Sequence, residues 1–226
     1  MLAKSDQQGR FFGILDGGRG LVEALLATLA IALFAYVLSA ESGSTTLALK
    51  QVIYLYAGVL LVMAPLTYWL LDEPEAEPKQ TATVTKSSFM LDIKVVLRRR
   101  EIWLCAICIA CGYQLFYATY SFSAYLQQHF GLTAVMVGTI TVAKLWMRPI
   151  GGIAAGFIGD WSSPEKVLSI LLALASLSLA MMAFLPPSAA TLLMLAVVLL
   201  IGLLTYAVRG LYWSTLGGCD VPNNIK

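Results

Sequence analysis

The sequence predicts an all-α, polytopic transmembrane helical bundle with six spans, and three observations carry that prediction. Of 226 residues, 59% are hydrophobic and only 12% are charged, whereas soluble domains carry about 25% charged residues. Mean hydropathy is +0.78. The apolar residues gather into six runs, each near or above the ~20 residues a helix needs to cross a ~30 Å hydrocarbon core. Basic residues collect on one side of those runs: Lys4, Arg10, Arg19, Lys79, Lys86, Lys94, Arg98, Arg99, Arg100, Lys166 and Lys226, against Lys50 alone on the other. Arg19 counts loosely, because it also falls within the first run. The positive-inside rule then places both termini and the long middle loop in the cytoplasm.

The first ten residues, MLAKSDQQGR, are polar and hold no apolar segment of the kind a cleavable signal needs. The first span follows, from about Gly13 to Leu38. It carries Asp16, Arg19 and Glu23 on one face at spacings of three and seven. Two readings of Glu23 stand. It makes a local i, i+4 ion pair with Arg19, or it meets a cation from another helix at its own depth. The second span runs from about Leu47 to Leu71.

Asp72 to Glu101 is the one true linker. It opens acidic and proline-containing (DEPEAEPKQ), a composition that favours extended or disordered chain. It closes with FMLDIKVVLRRRE, where Phe89, Leu91, Ile93, Val96 and Leu97 give a partly amphipathic pattern. That stretch reads as a short helix on the cytoplasmic membrane surface, or as an ordinary stop-transfer cluster built on Arg98–Arg100.

The third span, about Ile102 to Leu126, is rich in aromatics and amides. Tyr120 and Tyr125 fit interface anchors. Tyr113, Gln114 and Tyr117 fall nearer mid-membrane, where they line a cavity or bond to a neighbouring helix. Cys105, Cys108 and Cys111 lie within this span without a His or carboxylate beside them; packing as small apolar residues suits them better than binding metal.

The fourth span, about Thr133 to Ile158, differs from the others. Thr141, Lys144, Arg148, Gly151, Gly152, Ala155 and Gly159 step by three or four, so one face is small or polar. A cation at bilayer depth costs at least ~2.5 kcal/mol on insertion scales, so this face meets protein or water rather than lipid. Pro149 has no N–H for the Leu145 carbonyl, which predicts a kink beside Arg148. Glu23 and Arg148 each lie ten residues from the cytoplasmic end of their spans, roughly 15 Å deep on helices running in opposite directions. Lys144 lies near the midplane, with no acid at its depth once Glu23 is given to Arg148, so its counter-charge is either a bound anion or an acid from a helix outside these 226 residues. The fifth span, about Val167 to Leu185, is ended by Pro186-Pro187. The sixth runs from about Thr191 to Leu216 and carries Arg209 in its cytoplasmic third, where snorkelling suffices to explain it. His129 and Cys219 fall in loops. There is no H-E-x-x-H, G-x-S-x-G or phosphate-binding loop, so the sequence points away from enzymes.

Gly156-Phe157-Ile158-Gly159-Asp160, followed by Lys166, resembles the loop signature of the major facilitator superfamily, with Trp161 where the family carries a basic residue. The basic linker before EIWLCAICIACGYQ resembles that family's central loop, and YWSTLGGCDVPNNIK resembles the end of its tenth helix. The resemblance covers essentially the whole chain. It implies that the spans correspond to helices five to ten of a twelve-helix transporter, so that the chain is a fragment. Residues 1–71 would close the N-terminal half, 72–100 would be the cytoplasmic linker, and 101–226 would open the C-terminal half. It implies a secondary transporter in a bacterial inner membrane, working by alternating access on a small polar, anionic solute with a coupling proton. Lys144, Arg148, Gln114 and Tyr117 would face the solute, while Glu23, Arg148, Arg19 and Asp160 would serve inter-helix and gating contacts. Neither a cofactor nor a metal ion nor a nucleic-acid partner is expected. The reading from another class is a self-contained six-span scaffold, channel subunit or sensor.

Overall fold

The computed structural model describes residues 8–40, 44–70, 97–98, 100–188, 190–212 and 214. All regular structure among them is helical. The chain divides into two units, one of Met1–Thr28 with Val96–Lys226, the other Leu29–Val95.

Among the described residues, five helical stretches are long and apolar enough to cross a membrane: Gly9–Ala40, Thr45–Leu70, Ile102–Phe130, Pro164–Phe184 and Thr191–Tyr212. The first two correspond to helices α1 (Gln8–Ala40) and α2 (Thr45–Leu70). The third is α3 (Arg100–Ala118), a 3-10 turn (Thr119–Ser121) and α4 (Phe122–Phe130) in succession. It runs four residues beyond its predicted end and stops at Gly131, whose φ of 65° is the left-handed conformation that closes helices. His129, expected in a loop, is therefore in the last turn of α4.

The stretch expected as the fourth span is two helices, α5 (Ala134–Leu145) and α6 (Met147–Trp161), neither of spanning length. The predicted kink is a break at Trp146, whose backbone (φ −64°, ψ −16°) stays right-handed and whose N–H bonds the Val142 carbonyl at 3.2 Å. Pro149 is its cause: with no N–H it leaves the Leu145 carbonyl without its i+4 donor. Taken together, residues 134–161 still cover roughly 40 Å of helix. The Thr133 hydroxyl caps α5 by accepting the Met136 N–H. The last two helices are α7 (Pro164–Phe184), with proline in its first turn, and α8 (Thr191–Leu211).

In the larger unit α8 is the axis. Met194, Val197, Val198, Ile201, Leu204, Val208 and Leu211 are buried along it. It packs most extensively on α6 and α7, and also on α5 and α3. Leu126, Val137, Ile140, Met182 and Leu185 close around its first half, and Leu115, Leu168 and Ala175 around its second. Hydrocarbon outside is as apolar as these side chains, so dispersion in close packing, rather than escape from water, holds them together. In the smaller unit the Ser44 hydroxyl accepts the Leu47 N–H at 3.4 Å, starting α2. Most of the linker, including the expected surface helix around Phe89–Leu97, and the end of the predicted sixth span lie outside the described residues.

Candidate functional site

The site begins with missing side chains. Gly9, Gly13 and Gly17 step by four along α1, and Gly152 and Gly156 do so along α6. A Cβ at Gly13 would stand 2.7 Å from the Gly152 carbonyl oxygen and 3.1 Å from the Gly156 Cα, so the two backbones are in direct contact. On the far side of α6, a Cβ at Gly151 would stand 2.6 Å from the Leu203 carbonyl oxygen of α8. Helix α6 is thus held between α1 and α8. A Cβ at Gly20 would strike the Arg148 stem, so glycine there makes room for the arginine.

Arg148 is 1% exposed. Its Nη2 and Nε donate to the two oxygens of Asp16 at 2.7 and 3.4 Å, its Nη1 donates to Glu23, and its guanidinium lies 5.6 Å from the centre of the Tyr206 ring. Such forked, charge-assisted bonds are among the stronger ones available to a protein. Arg209 joins through its Nε, 3.5 Å from Asp16 Oδ1, and lies 4.5 Å over the Phe116 ring. Two acids and two arginines therefore balance formally inside the bundle. This corrects one expectation and decides between the two readings of Glu23. Arg209 is drawn inward by Asp16 rather than snorkelling. Arg19 is exposed and makes no ion pair among the described residues, so Glu23 is taken by Arg148 and not by Arg19. Arg148 commits three of its N–H groups to these two carboxylates.

Lys144 is the contrasting cation. It is 5% exposed and no carboxylate pairs with it among the described residues. Its Nζ donates to the Thr119 carbonyl at 3.4 Å and sits 5.7 Å over the Phe122 ring, while its stem packs on Gly202. The Thr119 carbonyl also receives the Phe122 N–H in the 3-10 turn. The hydroxyls of Ser123 and Thr141 lie 3.5 Å apart on the same two helices.

Tyr117 and Gln114 part company. Tyr117 belongs to an aromatic group with Phe116 and Tyr120, and Phe116 touches Tyr206. Through those rings Tyr117 is joined to the arginine cluster. Gln114 instead lines an open groove of about 420 Å³ between α3 and α7, with Cys111, Leu115 and Ser176 among its other walls. None of Lys144, Arg148 and Tyr117 borders it. Three residues apart, the two still share one side of α3, and it is their neighbours that separate them: α7 beside Gln114, Phe116 and Tyr120 beside Tyr117.

Asp160, at the end of α6, accepts the backbone N–H groups of Gly9 and Arg10 at 2.8 Å each, with the Arg10 Nε at 3.5 Å. A carboxylate on the first free N–H groups of a helix satisfies them and complements the helix dipole. At the opposite end, His129 Nε2 bonds the Leu185 carbonyl at 3.0 Å, its ring stacks on Tyr125, and the Tyr125 hydroxyl donates to the Met182 carbonyl. Sequence reasoning passed over Asp16, Arg209 and His129 as partners. The first could have been found from its seven-residue spacing to Glu23, and the glycine stripe of α1 from its i, i+4 repeat. No signal in the sequence foretold the carbonyl that His129 takes.

Membrane-spanning helices packed through glycine, with charges paired in their interior, define a polytopic integral membrane protein. The chain belongs to the Major Facilitator Superfamily, whose profile matches residues 1–217. It is 26% identical over 231 residues to inner membrane protein YihN of Escherichia coli K12, a match covering 99% of this chain and 53% of that protein. To inner membrane protein YqcE of the same organism it is 30% identical over 233 residues, covering 100% of this chain and 53% of the relative. The chain spans about half the length of these curated relatives. No solved structure matches it.

Proposed function

We propose that the chain supplies the interior helices, corresponding to helices five to ten, of a secondary transporter that moves a small polar, anionic organic solute by alternating access. Residues 1–71 are then the end of the N-terminal half, 72–100 the linker and 101–226 the start of the C-terminal half. The relatives' printed names and the one-sided distribution of basic residues support a bacterial inner membrane with both termini in the cytoplasm. In this reading Lys144 is the solute's cation. Glu23, Arg148 and Asp160 are inter-helix contacts that hold one arrangement of the bundle. An ammonium without a fixed carboxylate can also exchange its proton as the solute arrives and leaves, which is where a coupling proton enters.

The observation that carries the reading is Lys144, buried with no carboxylate paired to it among the described residues, while Arg148 and Arg209 both reach Asp16. A charge this deep needs a counter-charge, and a bound anion supplies one. The test is ligand-dependent thermal stabilisation of purified protein across a panel of small carboxylates and phosphate esters, with neutral polyols as controls. At least one anion should stabilise the wild type. Replacing a charged hydrogen-bond donor should weaken that anion by roughly 10- to 100-fold in Lys144→Gln, and Lys144→Arg should retain part of the effect. Equal affinity in all three proteins removes Lys144 from the site.

A further inference from the structure

The third span is broken where nothing in its own sequence breaks it. From Tyr113 to Phe130 the chain has neither proline nor glycine, yet α3 gives way to the 3-10 turn Thr119–Ser121 before α4 begins. A 3-10 stretch in mid-helix marks strain or a hinge, and a break without proline or glycine arises where a side chain enters the backbone ladder. The Thr119 hydroxyl bonds the Phe116 carbonyl at 2.8 Å, but such a bond does not by itself break a helix. Thr67 bonds the Ala64 carbonyl in the same way, also at 2.8 Å, and α2 runs through it uninterrupted. The side chain that enters the ladder is Lys144. Its Nζ donates to the Thr119 carbonyl at 3.4 Å and lies 5.7 Å from the centre of the Phe122 ring. In a continuous α-helix that carbonyl would take the Ser123 N–H, four residues on. Here it takes the Phe122 N–H, three residues on, together with the ammonium. Lys144 is itself fixed: it is rooted in α5, and its stem fills the notch that Gly202 leaves in α8.

The winding of this junction sets which way α4 faces. A 3-10 residue turns the chain by ~120° and an α residue by ~100°, so rewinding three residues as α would rotate α4 by ~60° about its axis. At a side-chain radius of ~5 to 6 Å, that carries each side chain ~5 Å sideways. Two bonds farther along α4 depend on its facing. The Tyr125 hydroxyl donates to the Met182 carbonyl at 3.1 Å, and His129 Nε2 bonds the Leu185 carbonyl at 3.0 Å. Neither bond survives a displacement of that size. The contacts therefore run without a gap from Lys144 through the Thr119 carbonyl and the turn to the end of α7.

We infer that Lys144 is a positioning residue: its ammonium holds the junction of α3 and α4 in the 3-10 form and so keeps Tyr125 and His129 seated on the end of α7, ~15 Å of helix away. The tie stands whatever the solute is, and its test needs none. His129 is the one histidine in the sequence, so protein made with histidine labelled in heavy nitrogen, and purified through a tag without histidine, shows a single imidazole by nuclear magnetic resonance. Wild type, Lys144→Met and Leu168→Ala are compared in one detergent at one pH, with melting temperatures alongside. Lys144→Met keeps the apolar stem and removes the donor. Leu168→Ala empties a core position beside the other half of α8 and leaves the turn alone, so it controls for general loss of stability. In Lys144→Met the His129 resonance should move from its wild-type position to that of the unbonded imidazole, read from the same protein unfolded in urea. Amides in the last turn of α4 should then exchange hydrogen at least about tenfold faster, the scale of two lost hydrogen bonds. Leu168→Ala should match wild type in both. An unchanged His129 resonance in Lys144→Met overturns the inference, whatever the exchange rates do. The same movement in Leu168→Ala overturns it too, since loosening of the bundle would then suffice. Should Lys144→Met not fold, Lys144→Gln, whose amide ends one bond short of the ammonium position, takes its place under the same outcomes.

Discussion

Gly13→Ala and Gly18→Ala make one chemical change five residues apart on one helix, and the packing of α1 gives them opposite signs. Alanine is favoured over glycine in a helix by roughly 1 kcal/mol, because glycine surrenders more backbone freedom on folding. That gain is common to both. At Gly18 the new methyl meets nothing within 4 Å, so the gain stands alone. At Gly13 the methyl would lie 2.7 Å from the Gly152 carbonyl oxygen and 3.1 Å from the Gly156 Cα. Both obstacles are backbone, which cannot rotate away. Either α1 and α6 separate, or the contact is strained, and overpacking of this kind costs about 1 to 3 kcal/mol. The difference between the two variants is therefore about 1 to 3 kcal/mol, with Gly13→Ala the less stable. At about 2 to 4 °C per kcal/mol for a chain of this size, that is roughly 2 to 12 °C in melting temperature. Thermal unfolding of the purified proteins in one detergent, followed by intrinsic fluorescence, measures it. Equal melting temperatures, or Gly13→Ala the more stable, would refute the backbone contact of α1 with α6.

Arg148→Gln leaves Asp16 and Glu23 without their main counter-charge and should cost about 3 to 5 kcal/mol of stability, the range for stranding buried charges. Adding Asp16→Asn should recover part of that loss in a double-mutant cycle, and strictly additive destabilisation would break the proposed cluster. Glu23→Gln should cost less, because the Glu23 side chain is 43% exposed and solvent screens what remains; a loss as large as that of Arg148→Gln would contradict this. Asp160→Asn removes the charge that holds the Gly9 and Arg10 N–H groups, so amides over residues 9–12 should exchange hydrogen faster while those in the middle of α1 do not. Unchanged exchange at that end would show the cap to be dispensable.

The approximate placement of five of the six expected spans was legible because hydropathy reports length, and length is what a bilayer selects. The meeting of Glu23 with Arg148 could be reached by counting residues from span ends. The counting fails wherever rotation about a helix axis matters. Arg209 has the depth of a snorkelling residue, and only the position of Asp16 across from it turns it inward. Gln114 and Tyr117 share a depth and a polar character, yet α7 takes one and the aromatic group takes the other. The break at Trp146 was half legible: proline marked the lost hydrogen bond, but whether a helix bends or divides there depends on its neighbours. His129 was placed in a loop, and its partner, the Leu185 carbonyl, is a group every residue carries, so nothing in the sequence marked it.

The glycine contact between α1 and α6 has a consequence for how these helices find their register. Helices ordinarily lock by setting the side-chain ridges of one into the grooves of the other, which resists sliding in steps. Where backbone meets backbone, as at Gly13 against Gly152 and Gly156, there are fewer ridges and lengthwise displacement meets less corrugation. Register along this seam must come from elsewhere, and two polar pins supply it. Arg148 clasps Asp16 and Glu23 at one level, and Asp160 clasps the start of α1 at another. They stand twelve residues apart on α6, roughly 18 Å along its axis. Between them one apolar side chain, Ile153 of α6 seated on Gly17 of α1, adds a third index to an otherwise bare track.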